Sequence, residues 1–113
     1  PKGVVVSHRG VIDYIDWAIE TFHIDSTSII GNQAPFYFDN STLDIYLMYA
    51  TGATLNIIPD TFFAFPAKLV EYLDEKKITF VFWVPFVLVN MANFKILDSR
   101  KPNISVMYFL LVR

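Results

Sequence analysis

The sequence has no cysteine and few charged residues, and each shortage excludes a class of protein. Without cysteine among its 113 residues, the chain forms no disulfide and offers no thiolate ligand to a metal ion. Charged residues make up 18% of the chain and the net charge is −2, with the basic residues scattered, so no basic surface for a nucleic acid is expected. His8 and His23 have no cluster of acidic residues around them, which argues against a metal site.

The chain also lacks a hydrophobic run long enough to cross a membrane. Its longest nearly apolar stretch, Ile78 to Val89, contains Thr79 and is interrupted by Pro85. That stretch is shorter than the ~20 residues that a membrane-spanning helix needs. The opening Pro1-Lys2-Gly3 does not have the form of a signal peptide. We therefore predict no membrane partner and a cytoplasmic location.

What the chain does have is an unusual share of apolar side chains for its length. Hydrophobic residues make up 54% of the chain and include 11 Phe and 6 Tyr, whereas soluble domains usually have about 45–50%. A small domain buries a smaller share of its surface than a large one, so part of this apolar surface should lie against something else. The sequence also stops within an apolar run that has the pattern of a buried strand. We therefore expect a fragment of a longer protein.

Apolar, strand-like runs alternate with helical patterns along the chain. The predicted strands are Val4 to Ser7, Ser28 to Gly31, Ala53 to Ile58, Ile78 to Val84 and Ile104 to Val112. The predicted helices begin near Gly10 and cover Thr42 to Thr51, Ala67 to Lys76 and Phe86 to Asn93. Uninterrupted apolar strands that alternate with helices indicate a parallel sheet covered on both faces. We predict that residues 1–113 form one α/β unit, flavodoxin-like and doubly wound, with about five mainly parallel strands.

Asp39 is the residue that points most directly to binding. It lies in the loop Gln33 to Asn40, after the second predicted strand, and ligands of doubly wound sheets bind beyond the carboxyl ends of the strands. An acid at this place either caps the following helix or receives a small cationic group. Ser41 and Asp44 have the spacing of a capping box, which leaves Asp39 free to bind a cation.

Several short elements occur in the order found in amino-acid adenylation domains, and the chain resembles that family over essentially its whole length. They are Pro1-Lys2-Gly3-Val4 followed by Ser7-His8, then Phe38-Asp39-Asn40-Ser41, Thr51-Gly52-Ala53-Thr54-Leu55, and the strand Thr79 to Pro85. The segment Asn32-Gln33-Ala34-Pro35-Phe36 is particularly similar to the D-alanine–carrier-protein ligases, and the other related branch is the nonribosomal peptide synthetases. The resemblance implies a piece of the large N-terminal domain of such an enzyme.

The resemblance also implies roles for five residues. Asp39 would receive the α-ammonium of the substrate, because a charged amine that leaves water needs a charged acceptor. Asn40, Leu43 and Phe82 would help to line the side-chain pocket, although Leu43 and Phe82 are each equally typical of a hydrophobic core. Lys2 would approach the nucleotide phosphates. No residue of the chain is implied as catalytic.

The implied reaction joins an amino acid to AMP from ATP, with Mg²⁺, and then transfers it to the phosphopantetheine thiol of a carrier protein. The phosphate-binding loop would precede Pro1 and the lid lysine would follow Arg113, so we expect the chain alone to be inactive. One departure from the family pattern is Phe86, where relatives carry a small hydroxyl residue after the proline. Two alternatives are a fragment of an acyl-CoA synthetase-type ligase, which Asp39 disfavours, and a non-catalytic flavodoxin-like interaction module.

Overall fold

The computed structural model describes residues 2–94 and the strand at residues 106–109, and it has alternating helices and strands. The elements are α1 (His8–Phe22), β1 (Ile29–Asn32), α2 (Ser41–Thr51), β2 (Thr54–Ile57), a 3₁₀ helix (Asp60–Ala64), α3 (Pro66–Glu75), β3 (Phe80–Trp83), α4 (Pro85–Asn93) and β4 (Val106–Phe109). The strands pair in the order β2-β1-β3-β4, and every pair is parallel. The predicted α/β class with a parallel sheet is confirmed.

Local signals in the sequence explain where the helices begin and end. The Ser7 hydroxyl accepts a hydrogen bond from the Gly10 N–H at 3.1 Å and caps α1. Gly52 ends α2 in the left-handed region, with φ of 75°, as its position after the predicted helix indicated. Pro66 occupies the first turn of α3, where its missing N–H is not needed. No helix in the part of the chain that the structure describes is long and apolar enough to cross a membrane.

The helices cover both faces of the sheet, which confirms the doubly wound arrangement. On one face, α1 and α2 pack against β1 and β3 through Ile15, Ala18, Phe22, Leu43, Leu47, Ile30, Phe80 and Phe82. On the other, α3 and α4 pack against the sheet through Leu69, Val70, Leu73, Val87, Met91, Val81 and Trp83. Since β3 is buried on both faces, its sequence is a continuous apolar run rather than an alternating one.

The prediction of about five strands is wrong for the part of the chain that the structure describes, which contains four. The predicted first strand, Val4 to Ser7, forms no strand, and Val4, Val5 and Val6 are exposed. A strand needs a neighbour to satisfy its backbone N–H and C=O groups, and no described residues pair with this segment. Within the predicted last strand, Ile104 to Val112, the residues Val106–Phe109 form β4, and the remainder lies outside the described residues.

Gly31, inside β1, is a position where the close packing of the sheet leaves no room for a side chain. A Cβ atom there would lie 2.9 Å from Ile78 Cγ2 and 3.2 Å from Val81 Cγ1. We expect Gly31→Ala to lower the free energy of unfolding by about 1–3 kcal/mol, because the neighbouring side chains must shift to admit the methyl group. Urea unfolding measures this cost. Gly3→Ala is the matched control, since nothing lies within 4 Å of that position, and equal midpoints for the two variants would contradict the prediction.

Candidate functional site

Asp39 lies in the loop between β1 and α2, at the carboxyl edge of the sheet. Its backbone carbonyl accepts a hydrogen bond from the Thr42 N–H at 3.0 Å, so its main chain is tied into the start of α2. Its carboxylate is exposed and makes no hydrogen bond or ion pair with any residue in the described part of the chain. The N-cap of α2 is Asn40, not Asp39. The structure therefore gives no support to the capping alternative for Asp39, and the carboxylate is available to a ligand.

The predicted capping box is wrong. The helix begins at Ser41 rather than after it, so Asp44 is one position too far along α2 to return a bond to the cap. The Ser41 hydroxyl instead donates to the Phe38 carbonyl at 2.8 Å. The Asp44 carboxylate accepts a hydrogen bond from the side-chain amide of Asn32 at 2.9 Å. Asp44 thus serves the contact between the helix and the sheet rather than the end of the helix.

Asn40, Leu43 and Phe82 lie together where α2 meets the end of β3. The amide Nδ2 of Asn40 donates to the Phe82 carbonyl at 3.2 Å, and Asn40 itself is buried. Leu43 and Phe82 belong to the same hydrophobic cluster, with exposed fractions of 1% and 7%. The three residues thus form a continuous group next to Asp39. Their predicted contact with a substrate side chain remains a prediction, because packing within the core accounts for Leu43 and Phe82 by itself.

In the described part of the chain, Lys2 makes no contact with Asn40, Leu43 or Phe82. It is exposed in the segment that precedes α1, so its role at the nucleotide phosphates also remains a prediction. Within residues 2–94 and 106–109, no group of three or more His, Cys, Asp or Glu side chains could hold a metal ion.

Three further polar residues, Asn32, Asp44 and Tyr14, interact with one another or with Asp39, and no sequence pattern pointed to them as part of the site. Asn32, the last residue of β1, and Asp44, in the first turn of α2, are both buried and joined by the 2.9 Å hydrogen bond. Tyr14, on α1, lies within electrostatic reach of two carboxylates. Partial burial and the negative charges of Asp44 and Asp39 raise the pKa of Tyr14. One signal could have identified Asp44, since its neighbours Leu43, Ile45 and Leu47 make it a lone acid within an apolar run.

The Asp44 carboxyl has an unusual environment. It is 1% exposed, and its Oδ1 atom has no hydrogen-bond partner in the structure. Burial raises the pKa of Asp44 to about 7, and the hydrogen bond from Asn32 opposes this rise only in part. A carboxyl with this pKa is protonated in mildly acidic solution and ionised in mildly basic solution.

This pKa predicts that the fold loses stability as the pH rises through neutrality. The folded state holds the Asp44 proton more tightly than the unfolded state, whose carboxyl has the ordinary pKa of 3.8. The contribution is therefore complete below about pH 4 and is lost as the pH rises to about 7. Between pH 5 and pH 8 the loss amounts to roughly 2–3 kcal/mol.

The measurement is a comparison of melting temperatures at pH 5 and pH 8 for the wild type, Asp44→Asn and Asp16→Asn. The asparagine of Asp44→Asn cannot ionise, so that variant should lose less stability over this range than the wild type. Asp16 is exposed on α1, so Asp16→Asn should follow the wild type. A parallel response of all three proteins would show that Asp44 does not titrate near neutrality.

Comparison with known proteins finds similarity to AMP-binding enzymes and to carrier-protein ligases. The sequence profile of the AMP-binding enzyme family matches residues 1–109. The L-proline–[L-prolyl-carrier protein] ligase of Pseudomonas fluorescens is 35% identical over 93 residues, which cover 82% of this chain and 19% of the relative. The D-alanine–D-alanyl carrier protein ligase of Bacillus cytotoxicus is 33% identical over 110 residues, which cover 96% of this chain and 22% of the relative.

A solved structure shows the same fold. It is a variant of the nonribosomal peptide synthetase FmoA3 in its α-methyl-L-serine-AMP-bound form, with a TM-score of 0.78 and 29% identity. The match covers 94% of this chain and 12% of that protein. The chain thus spans about a fifth of the length of the two curated relatives it matches, and less of the synthetase.

Proposed function

The chain belongs to the AMP-binding enzyme family, and from this premise we propose that it is the amino-acid-binding part of an adenylating ligase. We refer to the longer enzyme that would contain it as the parent enzyme. Residues 1–113 would then form one subdomain of its large N-terminal domain. The similarity to two carrier-protein ligases and to a synthetase solved with an aminoacyl adenylate supports an amino acid as the substrate class.

The observation that carries the proposal is the unpaired carboxylate of Asp39. It stands at the carboxyl edge of a parallel sheet, where ligands of such folds bind. It is held by its backbone at the start of α2 and is not used as a cap. An unpaired carboxylate that is held in place by its backbone is the acceptor that a substrate ammonium needs, because charge-assisted hydrogen bonds are about twice as strong as neutral ones.

In the parent enzyme, the substrate carboxylate would attack the α-phosphate of ATP to form an aminoacyl adenylate and pyrophosphate. The aminoacyl group would then pass to the phosphopantetheine thiol of a carrier protein. Asp39 would hold the ammonium end of the substrate during the first step, and Asn40, Leu43 and Phe82 would border its side chain. Mg²⁺ would neutralise phosphate charge, but the described residues offer no cluster of ligands for it. No step is therefore assigned to Mg²⁺ in this part of the enzyme.

The two alternatives make different demands on Asp39. A fatty acid has no amine, so an acyl-CoA synthetase would gain nothing from an unpaired acid at this place. A non-catalytic interaction module would need neither the acid nor the sequence match to a family of AMP-binding enzymes. Neither alternative explains why the carboxylate of Asp39 is unpaired at the binding edge of the sheet.

The test of the proposal is ATP–pyrophosphate exchange by the parent enzyme with panels of amino acids and of fatty acids. We expect exchange that depends on one or a few amino acids and on no fatty acid. Exchange with fatty acids alone would support the acyl-CoA synthetase alternative. A folded parent enzyme with no exchange on either panel would support the non-catalytic module.

A further inference from the structure

The loop that carries Asp39 is closed at its base by a buried hydrogen bond. Asn32, at the end of β1, and Asp44, in the first turn of α2, lie on either side of this loop. Their side chains meet at 2.9 Å and exclude water almost completely, with exposed fractions of 3% and 1%. This hydrogen bond links the end of β1 directly to the first turn of α2.

A second hydrogen bond holds the same helix turn to the neighbouring strand. Asn40, the N-cap of α2, and Asp44 are four residues apart and so lie on the same side of the helix. Asn40 reaches the Phe82 carbonyl on β3 at 3.2 Å, whereas Asp44 reaches Asn32 on β1. The start of α2, with Asp39 just before it, is therefore attached to two adjacent strands by side chains that point into the core.

The Asp44 carboxyl does not have the features of a group that mainly stabilises the fold. It is buried, one of its oxygens has no partner, and burial disfavours its ionised form. Replacing a buried polar pair by apolar groups of similar shape is often neutral or stabilising. Groups that reduce stability in this way are often retained for function.

We propose that Asp44 is a positioning residue for amino-acid binding, which acts on Asp39 by fixing the start of α2 to Asn32. The inference rests on the proposed function, because it assigns Asp44 to the orientation of the ammonium acceptor. Asp44 itself does not contact the substrate. Its effect is on geometry, and small displacements of a binding group are costly because the acceptor must meet the ammonium at hydrogen-bond distance.

The test compares substitutions on both sides of the hydrogen bond in the parent enzyme. Asp44→Leu and Asn32→Ala each remove it, whereas Asp44→Asn keeps an oxygen that can accept from the Asn32 amide. We expect the first two variants to raise the KM for the amino acid by about ten- to a hundredfold. The KM for ATP should change by less than about twofold, because the nucleotide does not bind to Asp39. Asp44→Asn should restore most of the amino-acid affinity.

Melting temperatures show whether each variant folds, and Thr42→Ala is the matched control. Thr42 lies in the same helix turn, and the structure gives its side chain no hydrogen bond, so its variant should keep both KM values. Asn32→Ala removes the same Asn32–Asp44 hydrogen bond from the strand side, so it can test the inference even if Asp44→Leu does not fold. An unchanged amino-acid KM in folded Asp44→Leu or Asn32→Ala would overturn the inference, and so would an equal rise in both KM values. A wild-type parent enzyme without amino-acid-dependent exchange would instead overturn the proposed function.

Discussion

Replacing Asp39 by alanine in the parent enzyme is expected to abolish amino-acid-dependent pyrophosphate exchange while the protein stays folded. Without the carboxylate, the substrate ammonium would enter the site with no charged acceptor, which costs roughly 2–5 kcal/mol. This corresponds to a loss of about tens- to thousandsfold in apparent affinity for the amino acid. The fold should survive because the Asp39 side chain is exposed and makes no hydrogen bond among the described residues.

The measurement is the exchange rate as a function of amino-acid concentration, together with the melting temperature of each variant. Asp60→Ala is the matched control, because Asp60 is another exposed acid that follows a strand at the same edge of the sheet. That variant should keep its exchange activity. Near-normal exchange by a folded Asp39→Ala protein would remove Asp39 from the binding site and leave its free carboxylate without an assigned role.

Phe82→Ala is expected to lower the free energy of unfolding of the chain by about 3–5 kcal/mol, because it removes a large buried side chain from the core between the sheet and helices α1 and α2. Phe82 is 7% exposed and belongs to the cluster formed by α1, α2 and the sheet. The cost would come from the lost apolar contacts and from the cavity that remains in this cluster. If Phe82 also borders the substrate pocket, the same variant should accept larger amino-acid side chains in the parent enzyme.

Urea unfolding of the chain and the substrate ranking of the parent enzyme separate the two roles of Phe82. Phe86→Ala is the control, since Phe86 is a nearby phenylalanine that is 74% exposed in this chain. Its unfolding free energy should change by less than about 0.5 kcal/mol. A small destabilisation by Phe82→Ala would contradict its place in the core, and an unchanged substrate ranking would leave the core as its only role.

The sequence carried most of the information about the fold because the signals involved are local. The apolar run that became β3 predicted a strand buried on both faces, and Gly52 predicted the end of α2. Ser7 caps α1 and Pro66 opens α3 as their residue types favour. The strand predicted at Val4 failed for a physical reason that no local pattern contains. Apolar, β-branched residues favour a strand, but a strand also needs a neighbour to pair with.

Asp39 could be identified as a candidate binding residue from the sequence alone, because the order of the residues shows that it lies after a predicted strand and before a predicted helix. The role of Asp44 could not, because it depends on which way a helix is rotated against the sheet. The helix α2 begins one residue earlier than the capping box predicted, and Asp44 is a buried partner of Asn32 instead of a capping acid. The sequence alone thus determined the class of fold, and it predicted the binding edge of the sheet and the acid at that edge. Only the tertiary structure decided which polar groups meet in the core, because Asn32, Asn40, Asp44 and Phe82 come together by packing and not by spacing along the chain.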